Sequence, residues 1–423
     1  MASDSNGTVF DAISSNSTGG TPEWNSDPMF QLPSWGEPLI VFIILFASMI
    51  ATRRRGLNIF QGNNRRSPSI LDRSDYAQSD EALLAYSYAD GDDATETIAT
   101  STMHSKQRNC CGRVIRTPNT SIFAGRLQSR IMQKFPFLIE MFYWIITYFF
   151  YRMTKVISQA VFSKTGIWDV AQHNGIRVLE IEQSTWLRFL FPWTEHDVQY
   201  WFMNGHQTAL TILNRFYALV HIPGTVGFIA WYYYAATSHS TFATVRRTLT
   251  LTNLLAFITF TFYPCMPPRL LPPEYGFLDS VRHDNAQSIW MSGDYVNSLA
   301  AMPSMHFGYS FCIGCTLLYH SGIFRRTLEK GETRKSTFWK LWYLAIAVTY
   351  PLAVLVAIVA SANHYWLDAL AAVGVACVAF VCNRVFLVLL PVEDVLFWIL
   401  RLEKPVPSTG ERLLRRGTRV EWR

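Results

Sequence analysis

Two histidines and an aspartate in two short strings of this chain have types and spacing suited to chemistry. His306 ends the string Pro303–His306, while His364 and Asp368 lie in the string Asn363–Asp368, and each string borders a long apolar segment. On a helix, residues four apart share a face, so the Asp368 carboxylate can hold one nitrogen of His364. This pattern is typical of an oriented nucleophile or base, with His306 as a second acid/base group.

Each of these histidines also fits a structural role, because a histidine inside a membrane often bonds a neighbouring helix. The alternative weakens when His306, His364, Asp368 and Arg269 are considered together. Four polar residues that converge on one place are more typical of a reactive site than of packing.

Composition indicates a membrane protein. The chain has 423 residues, of which 50% are hydrophobic and 16% charged, whereas soluble domains have about 25% charged residues. Windows almost free of charge recur at bilayer-spanning length. The alternative, core helices of a large soluble domain, fits less well. The fold class we predict is all-α, polytopic, with about seven transmembrane helices: Trp35–Thr52, Phe135–Met153, Phe216–Ala236, Leu249–Pro264, His306–Ile323, Leu341–Ser361 and Tyr365–Leu390.

The distribution of positive charge predicts the orientation. Residues 1–38 hold five acidic residues and no Lys or Arg, whereas Arg53–Arg55 follow the first span and six Lys or Arg lie in His320–Lys340. Positive-inside bias puts the N-terminus in the lumen and the C-terminus in the cytosol. We therefore expect a secretory-pathway endomembrane, Golgi or ER. The net charge of +6 does not indicate nucleic-acid binding, and no protein partner is indicated.

The expected domain organisation follows from these segments. Residues 1–34 form a disordered lumenal tail, 35–52 an extra transmembrane helix, 53–128 a disordered cytosolic loop, 129–390 the membrane domain and 391–423 a basic cytosolic tail.

The stretch Trp168–Met203 is neither apolar enough to span a membrane nor polar enough for disorder. It fits an amphipathic helix at the membrane surface, and it fits a packed lumenal cap equally well.

The predicted topology brings three distant segments to one membrane face. The fourth span ends at Tyr263–Arg269, the fifth begins at Pro303–His306, and His364–Asp368 open the seventh. We therefore predict a shared lumenal pocket.

Phosphoryl transfer suits the groups in this pocket. Arg269 offers a cationic fork for phosphate oxygens. Pro303 is expected early in a helix, where free N–H groups favour an anion. Ser304 adds a hydroxyl that either caps that helix or contacts substrate. His364 can attack phosphorus, while His306 protonates the departing oxygen and then removes a proton from the incoming hydroxyl. We expect no metal and no cofactor, because no ligand cluster with metal spacing is visible.

At these residues the chain resembles the type-2 phosphatidic acid phosphatase superfamily, and especially its fungal inositol phosphorylceramide synthase branch. The resemblance covers Trp168 to Asn383 and is most specific at Met266–Pro272, Ala301–Phe307 and Ala362–Ala369. It implies a six-helix core that faces the lumen, metal-independent transfer and a phosphohistidine intermediate.

The resemblance also implies a role for each site residue. His364 matches the nucleophile, Asp368 its orienting carboxylate, His306 the acid/base and Arg269 the phosphate-binding arginine of the first motif.

Three positions depart from the phosphatase pattern. Phe262 and Ile358 stand where those phosphatases have a lysine and an arginine, and Leu270 replaces a proline. The loss of two cations disfavours a dianionic monoester more than a phosphodiester such as phosphatidylinositol. We therefore expect transfer of a phosphorylated head group, plausibly inositol phosphate, to a lipid hydroxyl such as that of ceramide. The alternatives are a lipid phosphate phosphatase and a non-catalytic lipid-binding or transport member.

Overall fold

A computed structural model describes most of the chain between residues 35 and 409. The described residues are 35–55, 57–60, 105–110, 113–164, 166–184, 188–283, 299–325, 327, 332 and 334–409. The tail predicted to be disordered, 1–34, lies outside them, as do the last residues of the basic tail, 410–423.

The described chain is predominantly α-helical, with one antiparallel pair of strands. In chain order the elements are α1 Gly36–Ala51, β1 Ser105–Cys110, β2 Arg113–Pro118, α2 Leu127–Lys134, α3 Leu138–Val161, α4 Ile167–Glu182, α5 Glu195–Met203, α6 Gln207–Ala235, α7 His239–Phe262, α8 Ser280–His283, α9 Met305–Ser321, α10 Thr337–Ala360, α11 Trp366–Cys382 and α12 Leu390–Ile399. Short 3₁₀ segments lie at Thr120–Phe123, Pro268–Leu270, Pro273–Tyr275 and Asn383–Leu389.

Each of the seven predicted spans coincides with a helix, namely α1, α3, α6, α7, α9, α10 and α11. Within the described residues, two helical stretches are long and apolar enough to cross a bilayer by length and composition. They are α10, Thr337–Ala360, and the continuous stretch Trp366–Ile399, which comprises α11, a 3₁₀ segment and α12. The other five predicted spans lie on helices that are shorter, α1 and α9, or less apolar, α3, α6 and α7. The number of seven spans stays a prediction.

Helix α9 lies at the centre of the bundle, packed against α7, α10 and α11. Small residues allow close approach. At Gly314 of α9 a methyl group would lie 2.7 Å from both the Ala347 oxygen and Pro351 of α10. At Gly308 it would lie 3.6 Å from Ala372 of α11. The helices that precede and follow the site are thus held tightly together.

The prediction of disorder for 53–128 was wrong for its last part. Strands β1 and β2 pair in antiparallel register, with Ser105 opposite Pro118. The Thr117 hydroxyl donates to Asp394 of α12 at 3.0 Å. This tertiary anchor has no local sequence pattern, which is why the segment resembles a polar loop. Residues 61–104 lie outside the described residues.

The predicted tail 391–423 begins as the helix α12 and continues as a packed segment. The Glu403 N–H donates to Ser129 Oγ at 2.9 Å, and the Ser408 hydroxyl donates to the Thr52 carbonyl at 2.9 Å. The described part of this tail therefore ties α12 to α2 and to the end of α1.

Candidate active site

Three loops meet at one end of the bundle, here called the site end. The first site loop is Tyr263–Leu271, the second Leu299–Ser304 and the third Ser361–Tyr365. Between the first two, the Cys265 N–H donates to the Leu299 carbonyl at 2.8 Å, and the Cys265 carbonyl accepts from the Ala301 N–H at 3.2 Å. This parallel bridge fixes the first loop beside the second.

Backbone hydrogen bonds also fix the third site loop. The Arg269 N–H donates to the Ala362 carbonyl at 2.9 Å, and the Ser304 N–H donates to the Asp368 carbonyl at 3.1 Å. The structure thus brings together the three segments predicted to converge. The membrane face on which they lie stays a prediction.

His364 is buried in this junction, with one ring nitrogen committed to hydrogen bonds. Its Nδ1 lies 2.8 Å from the Ala301 carbonyl oxygen and 3.3 Å from Asp368 Oδ2. A carbonyl oxygen can only accept, so Nδ1 carries the proton and the lone pair is on Nε2. This tautomer leaves the lone pair of Nε2 available to act as a nucleophile.

The prediction that His364 and Asp368 share one face of a helix was wrong. His364 precedes α11, whose first residue is Trp366, so the two side chains do not share a helix face. Asp368 occupies the third helical position, and its Oδ2 also accepts the Tyr365 N–H at 2.9 Å. The pair still forms, because a carboxylate that caps the helix start reaches back to the preceding loop.

His306 lies in the first turn of α9, beside His364. The two imidazole centroids are 5.8 Å apart, and the rings are tilted by 55°. His306 is half-buried, whereas His364 is 5% exposed. Two histidines at this separation can act on opposite sides of a phosphoryl group held between them.

Tyr217 of α6 is a site residue that sequence analysis did not single out. Its ring stacks on His306 with centroids 4.2 Å apart, and it lies within electrostatic reach of Arg269. The string Phe216–His221, which contains Tyr217, also resembles the inositol phosphorylceramide synthase branch, but that resemblance assigned no role to the tyrosine. The packing of α6 against α9 shows its contact with His306.

Arg269 is mostly buried and paired. Its Nη1 donates to Asp279 Oδ2 at 2.8 Å, with the two side chains 14% and 19% exposed. Its buried Nε has no acceptor among the described residues. The guanidinium thus keeps a donor for a phosphate oxygen, while Asp279 offsets part of its charge.

Ser304 is the N-cap of α9, where its hydroxyl accepts the Phe307 N–H at 3.4 Å. Pro303 therefore precedes the cap and is not within the helix as predicted, because the serine hydroxyl sets the helix start at Met305. Ser304 has no exposed surface. Of the two predicted roles, the structure shows that the Ser304 hydroxyl caps helix α9, and a phosphate contact by this hydroxyl stays a prediction.

Helices α4 and α5, here called the cap, pack over the site loops as one of the two alternatives for Trp168–Met203 predicts. A position at the membrane surface stays a prediction, and Trp168, Trp193 and Trp201 are exposed on this segment. Gly175 of α4 lies so close to the first and third loops that a methyl group there would be 2.7 Å from the Met266 oxygen and 2.8 Å from the Tyr365 hydroxyl. That hydroxyl donates to the Met266 carbonyl at 2.8 Å. The cap is thus in direct contact with the residue that follows His364.

The two positions at which the phosphatase pattern has cations differ in exposure. Ile358 is fully buried, and Phe262 at the end of α7 is 65% exposed. Arg282 and His283 follow in the sequence as possible replacements for these cations, and their side chains lie outside the described part of the structure. In the described residues no three His, Cys, Asp or Glu side chains are grouped as metal ligands.

Comparison with protein families agrees with this geometry. Residues 178–328 and 333–382 match the family model described as PAP2 superfamily, which denotes the type-2 phosphatidic acid phosphatases. The match covers just under half of the chain, includes every site residue discussed above, and supports assignment to this superfamily. Together with the two apolar helices it indicates a membrane protein. No curated protein and no solved structure matches the chain.

Proposed function

We propose that this protein is a membrane phosphotransferase that moves a phosphorylated head group between lipids through a phosphohistidine at His364. The observation that carries the proposal is the donor role of His364 Nδ1, which bonds Ala301 and Asp368 and leaves Nε2 as the attacking atom. The superfamily match is consistent with phosphatase or phosphotransferase chemistry of this type.

The first half of the reaction uses both histidines. Nε2 of His364 bonds to phosphorus as the bond from phosphorus to the glyceryl oxygen breaks. Protonated His306 gives that oxygen its proton, and diacylglycerol leaves. The ring of His364 becomes cationic as Nε2 bonds, and the fully buried Asp368 carboxylate stabilises that charge.

The second half returns the enzyme to its starting state. Neutral His306 removes the proton of the incoming lipid hydroxyl, whose oxygen bonds to phosphorus. The phosphorus–nitrogen bond breaks, and His364 is again neutral. No step in this sequence uses a metal or a cofactor.

The charges around Arg269 favour a diester substrate. A phosphodiester carries one negative charge, whereas a phosphomonoester approaches two at neutral pH. Asp279 already takes up part of the Arg269 charge, and the two further cations of the phosphatase pattern are replaced by Phe262 and Ile358. We therefore propose phosphatidylinositol as donor and a ceramide-like alcohol as acceptor. Hydrolysis of lipid phosphates is the alternative within the same superfamily.

Lipid mass spectrometry on purified protein in mixed micelles tests this function. Phosphatidylinositol with ceramide is supplied in one reaction and phosphatidic acid in another. We expect an inositol-phosphate sphingolipid and diacylglycerol from the first, a loss of about 10³-fold or more in His364→Ala, and wild-type activity in His173→Ala, which alters an exposed histidine of α4. Brisk release of phosphate from phosphatidic acid would instead identify a phosphatase.

A further inference from the structure

Two buried carboxyl groups outside the reacting constellation hold the start of helix α11. Glu182, the last residue of α4, accepts the Leu367 N–H at 2.6 Å. Glu195, the first residue of α5, accepts the Trp366 N–H at 2.9 Å. The two residues are 6% and 1% exposed. The mechanism described above uses neither of them.

Together with Asp368, these carboxyl groups take three successive N–H donors at the helix start. Asp368 accepts from Tyr365, Glu195 from Trp366 and Glu182 from Leu367. The first N–H groups of a helix have no partner within the helix, and its dipole favours negative charge there. The turn that follows His364 directly is therefore fixed by three side chains, two of which belong to the cap.

The two carboxyl groups lie side by side, because they accept from the N–H groups of consecutive residues, Trp366 and Leu367. Two ionised carboxylates in this position would have no hydrogen between them and would repel each other. The buried Glu182 Oε2 receives no N–H or O–H donor from the described residues. Two adjacent buried carboxyl groups are therefore best satisfied as one acid and one carboxylate.

The surrounding groups favour the protonated form of Glu182. Burial and the neighbouring Glu195 raise the pKa of the Glu182 carboxyl far above its usual range, and the Asp368 charge acts in the same direction. Among the described residues, Tyr365 of the third site loop and Cys265 of the first are further titratable groups close to this carboxyl, and neither of them can carry a positive charge.

We propose that Glu182 and Glu195 are positioning residues that share one proton and thereby hold the first turn of α11, and with it His364, against the cap. The proposal rests on the proposed function, because it assigns the pair to the orientation of the nucleophile. Loss of the proton would place two negative charges side by side. The pair would separate, and the turn after His364 would lose two of its three anchors.

Kinetics of three variants test the positioning role. Glu182→Gln keeps an oxygen for the Leu367 N–H and an N–H donor for Glu195, but it cannot lose a proton. We expect its kcat at neutral pH to stay within about threefold of wild type, and its activity to persist to higher pH. Glu182→Ala should lose about 10- to 100-fold in kcat with little change in KM. Glu180→Gln, an exposed change in the same helix, should match wild type.

A second measurement does not depend on turnover. A carboxyl group whose pKa is raised in the folded protein stabilises it fully below the unfolded pKa of about 4.3, and this contribution is lost as pH rises toward the folded pKa. Between pH 5 and 9 the Tm of wild type in detergent should fall with rising pH, and the fall should be shallower in Glu182→Gln.

Two results would overturn the proposal. One is a pH profile of Tm that is the same in wild type and Glu182→Gln, which denies the shared proton even if no lipid substrate is found. The other is a Glu182→Ala protein with the kcat and pH profile of wild type, which denies the positioning role. Failure of the proposed function would instead appear as no transfer from phosphatidylinositol to ceramide, while the Tm difference between wild type and Glu182→Gln remains.

Discussion

The two ends of helix α7 lie in regions that handle buried polar groups in opposite ways. Near its start, Arg246 bonds Glu140 of α3 at 2.6 Å. Just past its end, Cys265 joins the site loops through backbone hydrogen bonds. At 1.5 Å per residue, the 16 residues from Arg246 to Phe262 separate the two regions by about 24 Å.

At the start of α7, side chains hold the elements together. Tyr143 donates to Glu393 at 2.7 Å, and Lys404 pairs with Glu393 at 3.0 Å. These ion pairs and hydrogen bonds join α3, α7, α12 and the packed segment after it. At the site end, backbone hydrogen bonds join the three loops to one another, and side-chain carboxyl groups hold the start of α11. The comparison shows that backbone bonding between the site loops leaves Nε2 of His364 outside the connections between elements, whereas at the start of α7 the charged side chains themselves make those connections.

Asp368→Asn should lower the activity of the site without unfolding the protein. Asparagine can still accept the Tyr365 N–H through its oxygen, and the Ala301 carbonyl still fixes the tautomer of His364. The lost charge no longer stabilises the cationic imidazole, so we expect kcat to fall about 100-fold, with Tm close to wild type. Steady-state kinetics and thermal unfolding measure the two effects. Wild-type kcat in this variant would contradict the role of the carboxylate.

Glu140→Ala should lower the stability of the protein without lowering its activity. Removal of the Glu140 carboxylate leaves Arg246 without its buried partner. We expect a loss of about 2 kcal/mol in stability, which is less than the ~3–5 kcal/mol of a fully buried broken pair because Arg246 is 19% exposed. Activity per folded molecule should be unchanged. Thermal unfolding in detergent and active-site-normalised rates check this. Glu140→Gln, which retains a hydrogen bond, should lose less, and equal losses in both would contradict the importance of the charge.

Gly175→Ala tests whether the cap presses on the site loops as closely as described. A methyl group there would lie under 3 Å from the Met266 oxygen and the Tyr365 hydroxyl, so we expect a loss of about 1–2 kcal/mol and a lower kcat. Gly227→Ala in α6 is the matched control, because no atom lies within 4 Å of its added methyl. Equal stability in the two variants would contradict this close contact, because the cap would then move to make room for the methyl group.

Asp279→Asn should have the smallest effect, and it tests whether the Asp279 charge favours a diester substrate. The change frees more of the Arg269 charge, so activity on phosphatidic acid should rise about three- to tenfold relative to activity on phosphatidylinositol. Asp169→Asn, an exposed change in α4, should leave that ratio unchanged. An unaltered ratio in Asp279→Asn would mean that this carboxylate does not select the diester.

Local patterns were enough to place the predicted spans on helices and to select the candidate site residues. The predicted spans lie on helices because long apolar runs have few other structures open to them. Residues 105–118 were mispredicted because the strands that they form depend on a partner in α12. The contact of His364 with Asp368 was predicted, although its basis is a helix start and not a helix face.

The sequence by itself determined the residue types at the site and the order of the segments that carry them. It also determined the superfamily resemblance, since spacing is a property of the chain alone. Only the tertiary structure decided the tautomer of His364, through a carbonyl 63 residues away, the pairing of Arg269 with Asp279, and the three carboxyl groups at the start of α11. These features depend on contacts between distant segments, and such contacts leave no periodicity or spacing in the sequence from which they could be inferred.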